Sequence, residues 1–481
     1  MTKMNKLNKL KYAGLTCVLI SLAGCKIPSV VQKAENKTTP EVFANSSNDT
    51  LNSAKKQWKS YFTDANLNSL IETALQNNQE LNITMQELVI AQSEVRARKG
   101  EYLPFVNVGA SVGVDKLGRY TNIGASEANT EIKPGTETPD PLQDYKIGAF
   151  ATWEADIWGK LHNAKKAAVS RYLASVDGRN FVQTNLIAEI SNSYYELLAL
   201  DNQLDIVKQN IDIQTNALAI VKLQKEAARV TELAVRRFEA QVLKTRGMQF
   251  SIQQQITETE NKINFMVGRF PQPIARDHKM FENLTPATVS AGIPSQLLEN
   301  RPDIKKAEME LMAANLDIKV AKARFYPSVG ISAGIGFQAF NAKYLLSTPE
   351  SLLYNFAGDL VAPLINRNAI KASYISANAK QIQAVYNYER TIVNAYVEVA
   401  NQLAKINNMK QSFDLKAQEV QALNQSVGIS NDLFKSARAD YMEVLLTQRD
   451  ALESKFELIE TKKSQMNAFV DIYRALGGGW N

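Results

Sequence analysis

The chain has 481 residues, with 55 Lys and Arg against 49 Asp and Glu and a formal net charge of +6. That length allows a large core or two to three ordinary domains. With two histidines (His162, His278) and two cysteines (Cys17, Cys25), no cluster has metal-ligand spacing, so no metal, no other cofactor and no enzymatic activity are expected.

Lys3, Lys6, Lys9 and Lys11, with no acid among them, lead into an apolar run from Tyr12 to Ala23. About twelve residues are too few for a transmembrane helix, which takes roughly 20. A basic start, a short apolar stretch and small residues at its end form a secretory signal. It closes on Leu22-Ala23-Gly24-Cys25, which resembles a lipoprotein lipobox. Residues 1–24 are therefore read as a lipoprotein signal peptide, Cys25 as the lipidated first residue of the mature chain, and 25–57 as an N-terminal tether. Losing four lysines (55 minus 4) leaves 51 bases against 49 acids. The basic balance belongs to the leader and points to no nucleic-acid partner.

Two repeats follow, 58–268 and 301–477, joined by a linker over 269–300 that carries Pro271, Pro273, Pro286 and Pro294. Residues 78–114 match 301–337 at an offset of 223; 192–200 match 394–402 at an offset of 202. Each repeat opens on a helical stretch, Leu67 to about Gly100 and Pro302 to about Arg324, where Pro302 suits the first helical position and Asp303 the positive helix end. Past Pro104 and Pro327 the period changes to two. Val106, Val108, Ala110, Val112 and Val114 alternate with small or polar residues, as do Val329, Ile331, Ala333, Ile335 and Phe337. Such strands suit a tilted membrane span, although a soluble sandwich shows the same pattern. Return strands are expected over Lys146–Trp153 and Leu352–Leu360, one hairpin per repeat. Gly109-Ala110-Ser111-Val112-Gly113 fits a G-x-S-x-G nucleophile elbow, but it lies inside the alternation, without the strand-to-helix turn that chemistry needs.

Long helices come next, Lys160 to about Ala227 and Arg367 to about Ser436, without proline and each with a single glycine (Gly178, Gly428). Ile190, Leu197, Leu204, Ile211 and Leu218 stand seven apart, as do Ile392, Val399, Ile406, Phe413, Val420, Val427 and Phe434, the spacing of left-handed coiled-coil packing. Return helices are expected near 232–267 and 441–475, with turns at 226–231 and 436–440. Trp153 and Trp158 fit an interfacial belt or burial against the helices, and Arg301 with Asp303 reads as a structural support for a helix start. Four strands cannot close a barrel, and an open edge in lipid leaves backbone groups unpaired. A membrane sheet would have to be completed by other copies, with the helices bundled below it.

The segment 292–332 (GIPSQLLENRPDIKKAEMELMAANLDIKVAKARFYPSVGIS) resembles the signature of TolC-type outer-membrane factors. So do 57–78, 153–161 and 439–452, and with the lipobox the chain is most similar to the lipoprotein, NodT-like efflux branch. The resemblance implies a mainly α fold with a membrane β part. Long coiled-coil helices would form a periplasmic α-barrel, and four strands per chain would contribute to a trimeric twelve-stranded outer-membrane β-barrel. Its implied partners are two further copies, a periplasmic adaptor, an inner-membrane pump of the RND type and the lipid bilayer. Its implied function is a passive exit duct for drugs or other small molecules. A duct for type I protein secretion and a non-pore coiled-coil lipoprotein are the alternatives. The family also implies a periplasmic gate at converging helix tips, for which Asp440 and Glu443 are the candidates. A glycine is usual near 437, where this chain has Ala437; a solvated turn with ordinary charges is the rival reading.

Overall fold

A computed structural model describes residues 27–43, 50–365, 367–436 and 438–480; Cys25 and the 1–24 leader lie outside them. The elements in chain order are α1 (Trp58–Tyr61), α2 (Ala65–Asn77), α3 (Gln79–Glu101), β1 (Phe105–Asp115), α4 (Asn122–Glu127), β2 (Glu131–Lys133), β3 (Thr136–Glu137), β4 (Leu142–Ala155), α5 (Lys160–Glu226) and α6 (Glu232–Met266). The second repeat follows with α7 (Leu297–Asn300), α8 (Pro302–Ala323), β5 (Ser328–Ala339), β6 (Leu352–Val361), α9 (Asn368–Lys435) and α10 (Tyr441–Ala475). Gly109–Gly113 lies wholly within β1, with no turn, so the elbow motif is a coincidence of strand alternation.

One compact unit comprises residues up to Ala34, Val89–Leu173 and Met309–Val385. Its sheet has the order β1-β4-β5-β6, antiparallel throughout. Register places the apolar residues of all four strands in the same rows: Val108, Ala149, Ile335 and Tyr354 in one, Val106, Ala151, Ala333 and Phe356 in the next. Side chains alternate across a strand, so these rows form one continuous apolar face. It is bare: Val108 is 82% exposed, Ile335 62% and Phe356 77%. The opposite face carries Asn107, Lys146, Phe150, Gly330, Gly334 and Asn355. Gly334 is glycine for a reason there, because a Cβ would stand 2.8 Å from the Phe150 ring and 2.3 Å from Asn355. β1 and β6 are the sheet's two edges.

At the base of this unit Asp156 accepts the Leu161 and His162 backbone N–H groups, capping α5. Trp158 Nε1 donates to the Pro327 carbonyl at 2.7 Å, and its ring stacks on Tyr326; Trp153 Nε1 donates to the Tyr102 carbonyl. Both indoles are thus tied to the strand–helix junctions, while Trp158 stays half exposed. The chain enters along the start of α9, with Ile27 and Val30 packed near Phe325 and Tyr374 and the Val31 carbonyl accepting from Asn378.

The other unit comprises Glu35–Leu88, Ala174–Glu308 and Tyr386–Asn481. Its core gathers Trp58, Phe62, Ile71, Ile187, Tyr194 and Phe469, with Tyr61 stacked between Phe469 and Tyr473 at 4.3 and 4.1 Å. Each such side chain contributes about 1.5–3 kcal/mol on burial. The heptad residues are all buried or half-buried, most deeply at Ile190, Leu197, Ile392 and Val399.

Two expectations need correction. The stretch from Leu67 to Gly100 is not one helix. It breaks at Asn78, whose Oδ1 accepts the Leu81 N–H while Nδ2 donates to the Met266 carbonyl at 2.8 Å; asparagine satisfies such end groups better than it extends a helix. The offset of 202 is also one heptad short. α5 and α9 begin 208 residues apart (368 minus 160) and end 209 apart (435 minus 226). The change from the earlier 223 arises in the strand-to-strand loops, 116–141 against 340–351, where α4, β2 and β3 fill the longer one.

Candidate functional site

The candidate gate residues lie at a helix-hairpin tip, and the two repeats build their tips with one backbone plan. In the first, Ala228 N–H donates to the Lys225 carbonyl and Arg229 N–H to that of Gln224, with Ala228 at φ 55°. This is a Schellman closure with alanine where glycine is usual. In the second, Arg438 N–H donates to Leu433, again five residues back, 209 on from the first (438 minus 229); Ala437 lies outside the described residues. Thr231 and Asp440 then begin the return helices with near-identical backbone angles, φ −84° and −80°. The Thr231 carbonyl accepts from Ala234 and that of Asp440 from Glu443, both at 3.1 Å.

The charges differ. In the first tip Glu232 pairs with Lys225 and Arg236, and Arg236 also holds Glu239. The hydrogen bond from Lys225 holds the exposed Glu232 carboxyl below the usual carboxylate range. In the second tip Asp440 caps nothing with its side chain. Asp440, Glu443 and Arg438 are exposed, and among the described residues neither carboxylate forms an ion pair. Three residues apart at a helix start, the two acids share a face and sit where the helix dipole favours anions. Among the described residues neither Arg229 nor Arg438 pairs with them.

What fixes the second tip beside the first was not read from the sequence. Val221, Ala234, Val235, Phe238 and Val444 form a small core, flanked by Phe434 and Tyr441. Arg237 Nη1 reaches Met442 Sδ at 2.9 Å. The heptad spacing of Phe434 was the available signal; Phe238 and Val444 belong to the return helices, which were read only by their extent. Asp432 pairs with Lys435, so Glu419, exposed on the shaft, is the cleaner control position.

Among the described residues no helix is long and apolar enough to cross a membrane, and no group of three or more His, Cys, Asp or Glu could hold a metal. Residues 70–269 and 293–478 match the family model described as outer membrane efflux protein. The chain is 27% identical over 425 residues to the pyoverdine export outer membrane protein OpmQ of Pseudomonas aeruginosa, covering 88% of each. It is 26% identical over 484 residues to the probable outer membrane lipoprotein SilC of Salmonella typhimurium, covering 98% of this chain and 99% of that one. A crystal structure of a Pseudomonas aeruginosa membrane protein superposes with a TM-score of 0.83 at 24% identity, covering 94% of this chain and 99% of that one, a likeness of fold.

Proposed function

The chain belongs to the outer membrane efflux protein family, and on that premise we propose that three copies pair β6 of one with β1 of the next into a twelve-stranded barrel. The protein is the outer-membrane channel of an efflux system, a passive duct working with a periplasmic adaptor and an inner-membrane pump. The observation that carries the trimer is the sheet: a continuous bare apolar face with two open edges. In lipid each unpaired backbone group costs several kcal/mol, and four strands are too few to close alone. Two further copies would pair every edge.

The pump is assigned to the RND type by family analogy, and the cargo to small molecules, in keeping with the pyoverdine export of OpmQ. Cys25 carries the lipid in this reading. The support is the lipobox, the relative named a lipoprotein and the entry of the chain beside Tyr374, a few turns from the end of β6. Asp440 and Glu443 form the gate, each present three times about the axis, where bare carboxylates repel and a bound cation reverses the sign.

Native mass spectrometry of detergent-extracted protein is expected to give a trimer, and planar bilayers discrete conductance steps. A monomer that stays soluble without detergent, or bilayers without conductance, would overturn the duct. A mature mass beginning at residue 25 without acyl chains would overturn lipidation alone.

A further inference from the structure

A cleft of about 580 Å³ lies between α5, the His278–Asn283 turn, α9 and α10. Its volume is that of small-molecule sites, roughly 300–1,000 Å³. Three lysines line it, Lys279, Lys455 and Lys462. Among the described lining residues the one acid is Asp205, already engaged with His278 Nε2 at 2.9 Å and Lys208 at 3.4 Å.

Lys462 is the unusual member. It is 3% exposed, and among the described residues it has no hydrogen-bond or ion-pair partner. Its Nζ stands 4.8 Å over the ring of Phe413, a wall of the same cleft. The next residue, Lys463, pairs with Glu196 and Glu460, whereas no described acid pairs with its neighbour. Burial pushes the Lys462 ammonium below its usual pKa, as expected of a cation with no anion beside it. A buried charge is costly unless something pairs with it.

We propose that this cleft binds an organic carboxylate, its charged end on Lys462 and its apolar body against the walls. Phe413, Val420, Ile206 and Leu458 supply those walls. The compact ammonium presents a single point charge, which suits a monoanion, and Lys279 and Lys455 add attraction from the cleft's other lining positions. The site is separate from the helix tips and does not depend on conduction.

Benzoate is the probe, titrated by saturation-transfer NMR against the full chain in lipid nanodiscs, with benzamide as its neutral counterpart. Benzoate is expected to bind wild type at least about tenfold more tightly than benzamide does, the equivalent of about 1.4 kcal/mol. Lys462→Met should remove that difference, and Lys463→Met should keep it. No binding of benzoate, equal binding of benzamide, or full binding by Lys462→Met each overturns the site. If Lys462→Met does not assemble, reductive methylation of wild type read by mass spectrometry decides. Benzoate, and not benzamide, should then slow labelling of Lys462; no protection overturns the proposal.

Discussion

In the first repeat Asn78 reaches from the start of the entry helix to the last carbonyl of the return helix, Met266, with a neutral amide. In the second, Arg301 reaches the equivalent carbonyl, Ala475, with a guanidinium 4% exposed and held by Asp303 and Glu398. Burial opposes that charge most strongly, yet the hydrogen bonds it donates to Asp303 and the fields of both acids hold its pKa above the usual value. Beside each bond stands a glycine at positive φ, Gly268 and Gly477. A Cβ there would meet the carbonyl before the entry helix, Asn77 at 2.4 Å and Asn300 at 2.5 Å. The comparison teaches that the backbone joint is common to the repeats while the side chain closing it is free to change. The tips show the same division: one turn, two charge patterns.

The sharpest way to break the comparison is to remove both closing side chains. Arg301→Ala empties a buried site and unpairs two partly buried acids, and is expected to cost about 3–5 kcal/mol, against about 1–3 for Asn78→Ala, measured by chemical denaturation. Equal losses would mean the ion cluster adds nothing beyond the shared bond.

Next come the strands, where the repeats should behave alike. Ile335→Arg and its counterpart Val112→Arg are each expected to cost about 2–4 kcal/mol at the lipid midplane, read as loss of the assembled species on native gels. Gly330→Arg, where an added Cβ meets nothing closer than 3.9 Å, should assemble and alter conductance instead. Gly334→Arg would confuse the two outcomes by striking Phe150.

At the tips the repeats should differ. Asp440→Ala with Glu443→Ala removes repulsion of about 1 kcal/mol per close pair in water. Resting open probability is expected to fall about fivefold without divalent cations, with the difference shrinking or reversing when they are added. Glu419→Ala should leave single-channel currents unchanged; a tip variant indistinguishable from it removes these acids from the gate. The smallest effect belongs to Ala228, left-handed at φ 55°. Ala228→Gly should relieve about 1 kcal/mol, seen as slower amide exchange over 218–230. The same gain at Ala437→Gly would extend the match of the tips to that residue.

Much of this was legible in the chain. The strands were expected at 106–114, 146–153, 329–337 and 352–360 and stand at those places, longer by up to four residues at an end. The long and return helices end within about a residue of expectation, because proline, glycine and the change of period act locally. The Asn78 break was hidden because its cause, the Met266 carbonyl, lies 188 residues away. The heptad register slipped because a sevenfold pattern looks the same after a shift of seven. Lys462 escaped notice because a lysine on a helix reads as solvated until its surroundings are known.

Sequence alone determined the elements, the twofold repeat and the apolar face of each strand, since periodicity and turn chemistry are short-range. Only tertiary structure decided which carbonyl each joint residue meets, that Phe238 and Val444 fasten the tips, and that Lys462 is buried with no described acid beside it. Those outcomes depend on distances between residues far apart in the chain, where burial and charge pairing are settled.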